Sequence, residues 1–81
     1  MLTEQEKARL TWHCRRGMLE LDLILQNFLL LGLDKLNEKE IKTFDALLSS
    51  TDPELIAWLM GHEEPENAEL NKIVTIIRNT N

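Results

Sequence analysis

The chain has one cysteine, three glycines, two prolines and no tyrosine among its 81 residues. A lone Cys14 cannot close an internal disulfide and leaves no zinc-ribbon or C-x-x-C redox spacing, so a reducing compartment is its expected home. No Gly-rich phosphate cradle or dinucleotide fingerprint is present. The longest apolar stretch, Leu23 to Leu33, is interrupted by Gln26, Asn27 and Gly32 and falls short of the ~20 apolar residues a membrane-spanning helix requires. The opening Met1-Leu2-Thr3-Glu4-Gln5-Glu6 has neither the basic-then-apolar order of a secretory signal nor the acid-poor composition of a transit peptide. These absences predict a soluble, cytoplasmic protein without membrane insertion.

Positive charge is also scarce. Nine Lys and Arg stand against fourteen Asp and Glu, for a net charge of −5, and such a field repels a phosphate backbone, so nucleic acid is not expected as a partner. The imbalance is uneven: residues 1–16 carry four basic and two acidic groups, leaving five basic and twelve acidic groups in the remainder. A basic patch near Arg9, Arg15 and Arg16 therefore faces an acidic body, an asymmetry suited to orienting a docking partner.

What is present is helical patterning. A chain this short fits one domain, residues 1–81, with one modest core. Thr3-x-x-Glu6 is a capping-box pattern that starts a first helix near Glu4, and Arg15-Arg16-Gly17 stops it, with glycine at the left-handed C′ position. From Met18 a run of strong helix formers makes a central helix, with Leu21, Ile24, Leu25, Phe28, Leu31 and Lys35 on one face. Leu19, Leu23, Leu29 and Leu30 widen that stripe, so this helix is either wrapped by neighbours or partly a docking face.

Asn37 and Glu40 start a third helix whose Ile41, Phe44, Leu47 and Leu48 turn inward, ending near Ser49-Ser50-Thr51. Asp52-Pro53 starts a short fourth helix, the aspartate serving as cap and the proline as first helical residue, and it runs to about Met60. Gly61 and the acidic His62-Glu63-Glu64-Pro65-Glu66 connect it to a fifth helix beginning near Pro65 to Asn67, with Leu70, Ile73, Val74 and Ile77 buried. The fold class is all-α: a small bundle of five helices.

Residues able to do chemistry are few. His13 and Cys14 are adjacent on a helix and diverge by about 100°, a poor arrangement for sharing a metal ion, and the plain alternative is a surface imidazole beside a buried thiol. Arg9, Trp12 and Arg16 fall at i, i+3 and i+7, which reads either as a tryptophan packed on the core between solvated arginines or as a binding face. Arg16 and Glu20 would form an ordinary ion pair if the helix ran through Gly17. Trp58, among Leu55, Ile56, Leu59 and Met60, reads as core. No enzyme is expected from this inventory.

Laid end to end, Ala8-Arg9-Leu10-x-Trp12-x-Cys14-Arg15-Arg16-Gly17-Met18-x-Glu20-Leu21-Asp22 resembles the signature of the succinate dehydrogenase flavinylation factors, whose hallmark RGxxE is here Arg16-Gly17-Met18-Leu19-Glu20. The likeness continues through Asp52-Pro53-Glu54-Leu55 and Trp58-Leu59-Met60. It implies a five-helix bundle that binds the flavoprotein subunit of succinate dehydrogenase, and often that of fumarate reductase, while FAD becomes bonded to a histidine of that subunit. The factor itself then holds no cofactor stably, and neither His13 nor His62 needs a role. The resemblance assigns partner binding to Arg9, Arg15, Arg16, Gly17, Glu20 and Asp22, on a factor expected to be monomeric. A regulatory interaction module of antitoxin type is the alternative, and it leaves the RGxxE segment unexplained.

Overall fold

In the computed structural model, which describes residues 3–80, five α-helices follow one another: α1 (Glu4–His13), α2 (Leu19–Leu31), α3 (Glu38–Leu47), α4 (Asp52–Leu59) and α5 (Ala68–Thr80). A single 3₁₀ turn, Leu33–Lys35, links α2 to α3, and no strand occurs among the described residues. Met1 and Leu2, which open the segment read for a targeting signal, lie outside them, as does Asn81. No helix of the described residues is long and apolar enough to cross a membrane.

Local chemistry accounts for most helix starts. The Thr3 hydroxyl accepts from the Glu6 N–H at 3.1 Å, and Asn37 and Glu40 exchange both bonds of a capping box. Asn67 accepts from the N–H groups of Glu69 and Leu70 ahead of α5. The fourth start differs from the sequence expectation: Thr51, not Asp52, is the cap, forming a capping box with Glu54 and placing Asp52 in the first helical turn. A Thr-x-x-Glu pattern satisfies two orphan N–H groups where Asp52 would satisfy one, and it leaves the Asp52 carboxylate available elsewhere. Bonds from the Thr51 backbone and hydroxyl also hold the Glu54 carboxyl below its usual range.

The core gathers Leu10, Cys14, Leu21, Leu25, Phe28, Leu29, Leu33, Phe44, Leu47, Leu48, Leu55, Leu59, Ile73, Val74 and Ile77. α5 packs against α2, α3 and α4, and Phe28 meets Phe44 at 5.2 Å between ring centroids in a tilted pair. The radius of gyration, 11.5 Å, agrees with the ~12 Å expected of a compact chain of this length. Leu70 and Trp58 pack at the margin of this core, half-buried.

Two sequence expectations for α2 are corrected. Leu31 is half exposed and Lys35 lies in solvent, because the helix stops at Leu31 and the 3₁₀ turn swings Leu33 into the core instead. Leu29 takes the inward position, so the buried stripe runs Leu21, Leu25, Phe28, Leu29. Gly32 makes this stop possible: a Cβ there would come within 2.5 Å of the Phe28 ring. Leu19, Leu23 and Leu30 point directly away from the core and are not wrapped by neighbours, Leu30 being 82% exposed.

Candidate functional site

The RGxxE segment occupies the connector between α1 and α2. α1 ends at His13 with Cys14 as its cap, two residues sooner than the Arg15-Arg16 stop the sequence suggested. Gly17 is therefore not the C′ residue of α1. It has φ +81°, a left-handed conformation that turns the chain toward Met18, the extended N-cap of α2. A Cβ on Gly17 would meet nothing within 4 Å, so its outer side is open.

Arg16 sits in a different environment. Its side chain is 17% exposed and fills the corner between the end of α3 and the start of α4. Nε donates to Asp52 Oδ1 at 2.8 Å, Nη1 to the Leu48 carbonyl at 2.7 Å and the His13 carbonyl at 3.3 Å, and Nη2 to the Ser50 carbonyl at 2.7 Å. The planar fork thus neutralises carbonyls left unpaired where α3 ends, at the negative pole of its dipole, and pairs with a carboxylate at the positive pole of α4. The Arg16 backbone N–H in turn donates to Asp22 Oδ1 at 2.7 Å, tying the connector to the first turns of α2.

The solvated Arg16 and the Arg16–Glu20 ion pair considered from the sequence are accordingly corrected. The helix break at Cys14 rotates Arg16 off the α1 face that carries Arg9 and Trp12, and the guanidinium is committed to Asp52. Glu20, the second residue of α2, is exposed, and its carboxylate makes no hydrogen bond or ion pair among the described residues. Arg15 is also exposed, just past the end of α1 and beside its Lys7 and Trp12. Arg9 reaches across to α3 and pairs with Asp45 at 3.1 Å.

Trp12 is 73% exposed and opposite the buried Leu10, so it is not packed on the core. Of the six residues assigned by resemblance, Arg15, Gly17 and Glu20 look outward, whereas Arg16 and Asp22 hold the connector in shape and Arg9 fastens α1 to α3. Sequence reasoning missed Asp52. Its signal was present in Thr51-x-x-Glu54, which relieves the aspartate of capping.

Cys14 is not a reactive thiol in this setting. Burial pushes the Cys14 thiol up to about 12; nearby Arg16 opposes the shift and Asp22 adds to it. A thiol so protonated behaves as a small apolar core residue. His13 is exposed, and the described residues contain no group of three or more His, Cys, Asp or Glu able to hold a metal ion.

The geometry defines a class: a helical bundle that fixes a short turn rigidly from behind and displays its front, with a bare glycine backbone, an unpaired carboxylate and an exposed tryptophan on an adjacent helix. Residues 8–81 match the family described as "Flavinator of succinate dehydrogenase". The chain is 59% identical over 78 residues to "FAD assembly factor SdhE" of Legionella pneumophila (strain Lens), covering 96% of this chain and 98% of that protein. Proteins of the same description from Colwellia psychrerythraea and Vibrio parahaemolyticus are 51% and 49% identical, covering 94% and 91% of this chain and 84% and 91% of theirs. This chain belongs to the succinate dehydrogenase flavinator family.

Proposed function

We propose that this protein is an assembly factor that binds the flavoprotein subunit of succinate dehydrogenase and promotes covalent attachment of FAD to it. Membership of the flavinator family supports this reading, and so does the unpaired Glu20 beside the open backbone of Gly17. A charged side chain at a helix start, with no use within the fold, is available to a partner. Gly17 lets the partner's backbone approach closely, while Arg15 and Trp12 extend the contact along α1.

In this reading the factor is not an enzyme and holds no FAD stably. It keeps the immature subunit in a geometry competent for self-catalysed attachment, and the flavin ends on a histidine of the client. Fumarate reductase's flavoprotein is a second client, and the factor acts as a monomeric single domain in the bacterial cytoplasm. The antitoxin alternative gives the displayed turn no task and is set aside.

The test is covalent flavin on the succinate dehydrogenase flavoprotein, read as in-gel fluorescence after denaturation, from cells lacking this protein and rescued with wild type or Glu20→Ala. The expected result is fluorescence restored by wild type and not by the variant. Equal fluorescence in all three would replace the assembly role with that of a regulatory binding module.

A further inference from the structure

Four of the five N–H donors of Arg16 are used inside the protein, on Asp52 and on the carbonyls of His13, Leu48 and Ser50. A guanidinium so occupied cannot also form a bidentate bond with a partner without leaving this corner. It joins the connector after α1 to the corner between the end of α3 and the start of α4, more than 30 residues further along the chain. The same residue's backbone N–H is fixed by Asp22, so both ends of Arg16 are held immediately before Gly17.

We infer that Arg16 and Asp52 form a positioning pair, which sets the direction in which Gly17 and Glu20 are presented while touching no part of the client. This rests on the reading that the front of the turn is the client contact. Asp52 then matters to flavinylation although it lies 36 residues beyond Arg16 in sequence. A free contact arginine makes the opposite forecast: Asp52 would be dispensable, and lysine, which keeps the charge, would serve in place of Arg16. In the positioning pair lysine fails, because an ammonium has three donors on a single nitrogen and cannot reach Asp52 and the three diverging carbonyls of His13, Leu48 and Ser50 together.

The experiment compares Asp52→Ala, Arg16→Lys, Glu20→Ala and a core variant, Ile73→Val, for thermal stability, affinity for the purified flavoprotein subunit, and covalent flavin on that subunit. Misplacement of a contact by about an ångström is enough for a roughly tenfold to hundredfold loss. Asp52→Ala and Arg16→Lys are expected to lose affinity and flavin on that scale, with altered amide resonances at Gly17 and Glu20. Ile73→Val, which lowers stability without touching the corner, keeps both activities. Should Asp52→Ala fail to fold, Arg16→Lys decides.

Wild-type affinity and flavin in Asp52→Ala or Arg16→Lys, with Glu20→Ala defective, would overturn the positioning pair and leave the contact reading standing. Loss in Ile73→Val equal to that in Asp52→Ala would reduce the pair to general stability and overturn it too. A fully active Glu20→Ala would instead overturn the contact reading, and the pair with it.

Discussion

Replacing Gly17 separates folding from function. At φ +81° an L-residue carries a left-handed penalty of ~1–2 kcal/mol, and no atom within 4 Å of the added Cβ enlarges it. For a domain of this size each kcal/mol moves the melting temperature by about 4–8 °C, so Gly17→Ala is expected to lower it by roughly 4–16 °C. Gly17→Arg incurs the same backbone cost, because its side chain leaves into open solvent. The two variants should therefore melt together, followed by far-ultraviolet circular dichroism, while Gly17→Arg abolishes covalent flavin on the client and Gly17→Ala lowers it less. An arginine variant melting far below the alanine variant would refute the open outer side of Gly17. Normal flavinylation by Gly17→Arg would refute that side as the contact.

Two further outcomes follow from burial and packing. Cys14, with its thiol raised from 9.0 to about 12, favours the folded state fully below pH 9 and loses that contribution as pH rises toward 12, since the unfolded thiol ionises first. Wild type should thus lose stability more steeply than Cys14→Ala in denaturant titrations from pH 8 to about 10.5, and parallel curves would contradict the buried thiol. Gly32→Ala should cost about 1–3 kcal/mol in urea unfolding, because its Cβ would press on the Phe28 ring at 2.5 Å; a neutral result would show that the end of α2 is not close-packed.

Caps and hydrophobic spacing, both local, were legible in the sequence. Thr3 and Asn37 announce helices through side chains that satisfy nearby N–H groups, and Leu21, Leu25, Phe28, Phe44, Ile73, Val74 and Ile77 recur at helical intervals. Even the break before Gly17 was visible, although its place was set by Cys14 entering the core rather than by a glycine cap. The motif was legible as well, since Arg16, Gly17 and Glu20 stand together in the chain.

The roles within the motif were not legible, because each depends on what a side chain meets from elsewhere. Nothing local separates Arg15 from Arg16, yet one lies in solvent and the other reaches Asp52, Leu48 and Ser50 across the bundle. Likewise Leu19, Leu23 and Leu30 have the same apolarity as Leu21 and Leu25 and differ only in the direction that packing gave α2. The sequence by itself determined five helices and the caps that start most of them, since those are contests between neighbouring backbone and side-chain groups. Which charge became a brace and which remained free was decided by the tertiary structure, which alone brings the corner between α3 and α4 against the turn.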